Sequence, residues 1–200
     1  TTSDAELLNL CREDFQAAQK SFADALKSQF STICEASKNI LKDIMSQVMG
    51  SNATISLLGG VRFDLSDDIF DDQPALQLLP TALVTPINTM IDILTIDLSE
   101  TNKNMLFLML VDSCCQRIEH VITQTTFCFA GALKFEECIR SVITMFNKKS
   151  TIPIRDKFSR LREVLMVLTS DVRSTGFAET LSQLTSTEAQ TIISLRMDNS

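Results

Sequence analysis

Asp67-Asp68-Ile69-Phe70-Asp71-Asp72 carries four carboxylates in six residues. Hard divalent cations take carboxylate oxygens, so an Asp-Asp-x-x-Asp spacing on a helix is a pattern that could hold magnesium and, through it, a diphosphate. The context argues against that chemistry. The run lies between Gly59-Gly60 and Pro74 rather than inside a long apolar helix, and no second acidic motif accompanies it. It lacks the glycine and the closing Glu of a calcium-binding loop. Trp and Tyr, whose ring faces could stabilise a carbocation, are absent. A solvated acidic loop is the favoured reading.

Nucleophilic or zinc chemistry would have to use His120, the single histidine, with Cys114, Cys115 or Cys128. Zinc needs about four ligands at compact spacing, and His120 has no such company. The six cysteines are Cys11, Cys34, Cys114, Cys115, Cys128 and Cys138. None forms a Cys-x-x-Cys pair, and several fall at apolar positions of helical patterns. They read as buried free thiols of a reducing compartment, and the sequon Asn52-Ala53-Thr54 reads as chance. No phosphate-cradling glycine loop, nucleophile elbow or metalloprotease helix is present. The expectation is a chain with no catalytic residue, no cofactor and no metal.

One stretch is basic: Lys148, Lys149, Arg155, Lys157, Arg160 and Arg162. No aromatic platform accompanies it, which argues against nucleic acid. Asp156 and Glu163 lie within it, so a partly ion-paired helix face is the plain reading. A patch that docks an acidic partner, made of Lys148, Lys149, Arg155, Lys157 and Arg162, is the functional one.

The elements that carry these residues read as helices. Leu8, Cys11, Phe15, Ala18, Phe22 and Ala25 recur at steps of three and four, as in a bundle seam, and Ile33, Ala36, Ile40 and Ile44 resume the pattern up to a stop at Gly50. Residues from about Asn52 to Pro80 read as irregular. Further helices are predicted from Pro80 or Thr81 to Leu98, with Pro86 in the first turn or at a kink, from Asn104 to Thr125, and from Leu133 to Phe146. Thr151-Ile152-Pro153 opens another helix that reaches about Ser170. Thr185-x-x-Glu188 is a capping-box pattern that starts the last helix, which continues to about Arg196. The polar run Asn147–Ser150, followed by Pro153, reads as a boundary. It divides the chain into a helical bundle, 1–149, and a small C-terminal helical lobe, 150–200.

Composition bounds the class. Apolar residues make up 44% of 200 and charged residues 22%, enough for a sizeable core. Five Gly and four Pro favour long helices with few breaks over a turn-rich β-fold. A net charge of −7 makes the chain as a whole a poor partner for phosphate backbones and anionic lipid. Met105–Val111 is the densest apolar stretch, far short of the roughly 20 residues of a membrane span. The start, TTSDAELL, reads as neither signal nor transit peptide and looks like the interior of a longer chain.

Thr125–Leu161 resembles a known family. The pieces are Phe127, the small-residue turn Gly131-Ala132-Leu133, Phe135-Glu136, Ile139-Arg140-Ser141, and Ile154-Arg155-Asp156-Lys157-Phe158-Ser159-Arg160-Leu161. Leu184–Arg196 continues the likeness. The family is the C-terminal region of subunit 4 of the conserved oligomeric Golgi complex. The chain departs from it by a shorter segment between Leu168 and Leu184 and a short tail after Arg196. The resemblance implies an all-α fold, an elongated helical bundle of the multisubunit-tether type. It also implies a peripheral place on the cytosolic face of Golgi membranes and a protein-interaction role in intra-Golgi retrograde transport and Golgi organisation. The implied partners are the other subunits of the tether, with SNARE-type fusion machinery as a further candidate. The alternatives are a magnesium-dependent all-α enzyme of terpenoid-synthase type using Asp67–Asp72, or a helical adaptor unrelated to Golgi traffic.

One structural pair is expected within this frame. Phe158, Leu161, Leu165 and Leu168 form the apolar face of the helix after Thr151, and Arg160 lies at its flank. From there its guanidinium could reach Glu188, the acid of the family-like tail, while Glu188 also closes the capping box on Thr185.

Overall fold

The structure, a computed structural model, describes residues 2–49, 63–64, 74–170 and 181–197. Asp67–Asp72 and Asn52 lie outside the described residues, so the acidic-run and sequon readings have no structural counterpart here. The chain divides into two compact units, residues 1–37 and 38–200. The expected 150–200 lobe lies within the second. The regular elements among the described residues are all helices, with a single isolated β-bridge between Phe127 and Arg196.

α1 is one continuous helix, Thr2–Met49. In the first unit it exposes Phe15, Phe22, Leu26 and Ile33. The three-and-four spacing that reads as a bundle seam is therefore an exposed apolar face. Periodicity reports which side of a helix is apolar and says nothing of what covers it.

The second unit begins with the end of α1, where Leu41, Met45 and Val48 are buried. α2, Pro74–Thr95, contains Pro80 and Pro86. The segment 74–80, expected to be irregular, is helical. Pro74 sits where its missing N–H costs nothing, and the buried stripe of Leu79, Leu83, Ile87 and Ile91 holds the helix on through both later prolines. By length and composition alone, Gln77–Thr95 is apolar enough to cross a membrane, which no apolar run in the sequence suggests. Its buried stripe is the face that packs on the bundle.

α3, Glu100–Thr123, starts four residues before the expected Asn104, because Ser99 caps it by accepting from Asn102 N–H. It buries Leu106, Phe107, Leu110, Val111, Cys114 and Ile118 among others. α4, Phe129–Lys149, also starts early. Cys128 caps it, its Sγ 3.1 Å from Gly131 N–H. Ile152 and Pro153 do not open a helix. They lead into a 3-10 turn, Arg155–Phe158, and only then α5, Ser159–Thr169. α6, Ser186–Ile193, follows a complete capping box between Thr185 and Glu188.

α2 packs along α4, α5 packs on α4 and α3, and α6 packs on α5. Phenylalanines link these layers. Phe63, Phe127 and Phe135 form a cluster with ring centroids 5.3–5.5 Å apart. Phe107, Phe146 and Phe158 form a second, joining α3, α4 and the 3-10 turn. The first cluster is fixed by the backbone: Cys128 N–H donates to Phe63 O at 2.7 Å.

Gly131 follows from that approach. A Cβ there would collide with the carbonyl of Phe63 and sit 3.1 Å from Cys128 Sγ. Gly→Ala inside a helix ordinarily gains about 1 kcal/mol. At Gly131 the sign reverses, and Gly131→Ala should destabilise by about 1–3 kcal/mol in urea unfolding, as overpacked sites do.

Candidate functional site

The N-terminal part of α5 carries two residues of opposite charge, Arg160 and Glu163, three apart on one face. Arg160 fans out to three places. Its Nε donates to Glu119 of α3 at 3.1 Å, one Nη to Gln183 O at 3.0 Å, and the other to Glu188 Oε1 of α6 at 2.8 Å. Glu188 uses its second oxygen for the cap, accepting from Thr185 N–H and Oγ1–H, each at 2.8 Å. The cap and the ion pair therefore hold together on one carboxylate. Glu163 accepts from Ser182, Gln183 and Leu184 N–H at 3.0, 2.8 and 3.1 Å, and from the Ser182 hydroxyl. One turn of α5 thus holds residues 182–184, which lead into the cap of α6.

Electrostatics follow the hydrogen bonds. The Thr185 N–H, with Arg160 beside it, holds the Glu188 carboxyl down to about 2. The Ser182 hydroxyl and the neighbouring amides lower Glu163 as well. Glu188 and Glu119 raise Arg160. Arg160 and Glu188 keep 42% and 41% of their side-chain surface exposed, so solvent screens the pair.

Arg196 closes the other end. It is buried, and its Nη1 donates to Leu168 O at 2.9 Å and Ser170 O at 3.1 Å, the free carbonyls where α5 stops. Its guanidinium also lies 5.1 Å from the centre of the Phe129 ring. The backbone on either side pairs with Phe127, which donates to Leu195 O and accepts from Met197 N–H, both at 2.9 Å.

The five residues of the basic patch separate into two kinds. Lys149 pairs with Asp92 of α2, and Lys157 pairs with Asp112 of α3 at 3.1 Å, so both tie elements together. The side chains of Lys148, Arg155 and Arg162 form no hydrogen bond or ion pair among the described residues. They line one groove of about 680 Å³ between α4 and α5, with Ile143, Leu165 and Met166 supplying apolar surface. Glu136 also lines it, already paired with Arg140 one turn along. A second groove of about 520 Å³ shares Arg140, Thr144 and Lys148, so these three form a ridge on α4 between the two.

The thiols are placed as structural groups. Burial pushes Cys115 and Cys138 up to about 12 and Cys114 higher still. A nucleophilic thiol needs the opposite shift. His120 is exposed on the last turn of α3.

Sequence reasoning missed Glu119, Gln183 O, Glu163 as an amide acceptor, and buried Arg196. All act on residues distant in the chain, and none carries a local motif.

A double-mutant cycle on Arg160→Ala and Glu188→Ala should give a coupling above zero. Arg160→Ala should cost more than Glu188→Ala, because it also releases Glu119 and Gln183. The Glu188 contribution depends on pH. Its folded pKa lies below the unfolded carboxylate value, so its stabilisation is complete above about 4.5 and is lost as pH falls towards about 2. The stability gap between the natural protein and Glu188→Gln, read from urea midpoints, should close across that window.

The family described as "Conserved oligomeric Golgi complex subunit 4, C-terminal" matches residues 2–191. A protein of Dictyostelium discoideum named "Conserved oligomeric Golgi complex subunit 4" is 26% identical over 204 residues, covering 98% of this chain and 21% of its own length. The chain thus spans about a fifth of that relative. The match runs nearly end to end, over helices whose order and caps are set out above. This chain belongs to the C-terminal family of conserved oligomeric Golgi complex subunit 4.

Proposed function

We propose that this chain is a protein-interaction domain of a Golgi vesicle-tethering complex subunit, acting by protein contact in intra-Golgi retrograde transport and Golgi organisation. The observation that carries the reading is the family match across residues 2–191. The partners are the other subunits of the tether, with SNARE-type fusion machinery engaged during vesicle capture. The place of action is the cytosolic face of Golgi membranes, reached through the complex.

The geometry supports a binding role in two ways. Among the described residues, the carboxylates and guanidinium with shifted titration, Arg160, Glu163 and Glu188, hold one another and the backbone rather than facing an open site. Surface features suited to contact remain open instead: the apolar row Phe15, Phe22, Leu26 on α1 and the basic groove between α4 and α5. Residues 150–200 serve in this reading as a small lobe docked on the bundle, with Arg160 and Glu188 as its internal pair.

Affinity capture of the tagged protein from cells tests the reading. The other subunits of the Golgi tether should co-purify together, and the protein should leave Golgi membranes under conditions that strip peripheral proteins. Capture of the protein without any tether subunit would refute it.

A further inference from the structure

We propose that the groove between α4 and α5 binds an acidic amphipathic helix of a protein partner, its apolar anchors seated on Ile143, Leu165 and Met166 and its carboxylates met by Lys148, Arg155 and Arg162. The proposal deepens the reading of the chain as an interaction domain, and rests on it, by stating the chemistry of one partner surface.

The charge pattern comes first. The chain carries a net charge of −7, yet three cations gather at one groove. Every other described lysine or arginine of the basic stretch has a carboxylate: Lys149 has Asp92, Lys157 has Asp112, Arg160 has Glu119 and Glu188. Lys148, Arg155 and Arg162 have none among the described residues. Lys148 in the last turn of α4 also favours the helix dipole, which accounts for its position on the helix but not for Arg155 and Arg162 facing the same groove.

The shape comes second. The groove lies between two packed helices, the geometry into which a third helix sets its ridge. At about 680 Å³ it has room for several apolar side chains. Met166 is 39% exposed there, a flexible side chain suited to repacking against a partner.

The alternatives fit less well. A planar anionic membrane would meet the exposed cations and Met166 and leave the buried Ile143 and Leu165 between the helices unused. A free phosphate would use the cations and leave the apolar floor unused. An acidic helix with apolar anchors uses both.

The experiment uses the purified chain and three designed helical peptides. The first has Leu at i, i+3, i+4 and i+7 with Glu on the flanks. The second replaces each Glu by Lys, and the third replaces each Leu by Ser. Only the first should bind saturably, and added salt should weaken it. Lys148→Glu/Arg155→Glu/Arg162→Glu should lower its affinity about tenfold or more, and the milder triple Gln variant by less. Met166→Asp should lower it with the cations intact. Circular dichroism should show all three variants folded, since the substituted residues are exposed. No binding of the first peptide overturns the proposal, as does equal binding of the Lys peptide or no effect of the triple variants. Co-sedimentation with phosphatidylserine vesicles in preference to peptide binding overturns it in favour of a lipid surface. Because the assay needs no tether subunit, its outcome is separate from that of the affinity capture.

Discussion

Arg160 sits where α3, α5 and the approach to α6 converge, and its guanidinium serves all three. α6 buries only Ala189 and Ile192, with Leu184 just before it. That apolar area is too small to fix a helix of eight residues on its own. The position of α6 is set instead by directed polar contacts. Arg160 and Glu163 define where the segment 182–185 runs, the capping box defines where the helix starts, and Arg196 fixes where the chain leaves it. Arginine suits the central role because it stays charged and presents donors in a rigid fork. A lysine would hold one of the three contacts.

The rest of the second unit obeys a different rule. α2, α3 and α4 are held by broad apolar stripes, and one phenylalanine cluster joins α3 and α4 to the 3-10 turn while the other seats Phe63 and Phe127 against α4. Polar contacts there are few and near the surface, such as Lys149 with Asp92 and Lys157 with Asp112. The second unit thus combines a packed apolar core with a hydrogen-bonded segment around α6. The basic groove lies between α4 and α5, at the junction of the two regimes.

How much of this is written in the sequence depends on the range of the signal. The capping box at Thr185 and Glu188 is local, and the spacing alone marks it. The helices of the bundle follow from apolar periodicity, though their starts do not. Ser99 and Cys128 are caps whose action depends on a backbone turn that no spacing rule displays, and Cys128 caps with a sulfur. The reach of Arg160 towards Glu188 came into view through the family-like tail, whereas Glu119 has nothing local to distinguish it from any other acid on α3. The basic stretch is visible as composition. Its division into tie residues and open residues is not, because Asp92 and Asp112 lie far away in the chain. Prolines misled in the other direction: Pro80 is a breaker by local rule, and the stripe from Leu79 to Ile91 overrides it.

The pairing of Phe127 with residues 195–197 bears on how the chain is made. A ribosome delivers Phe127 long before it delivers Arg196. Until then the peptide groups of Phe127 have only water as partner, and the end of α5 has no guanidinium on its carbonyls. The contacts of residues 195–197 with Phe127, and of Arg196 with Leu168 and Ser170, can therefore form only after α3, α4 and α5 have been synthesised. A chain truncated before Leu195 would keep all six helices and lack these contacts.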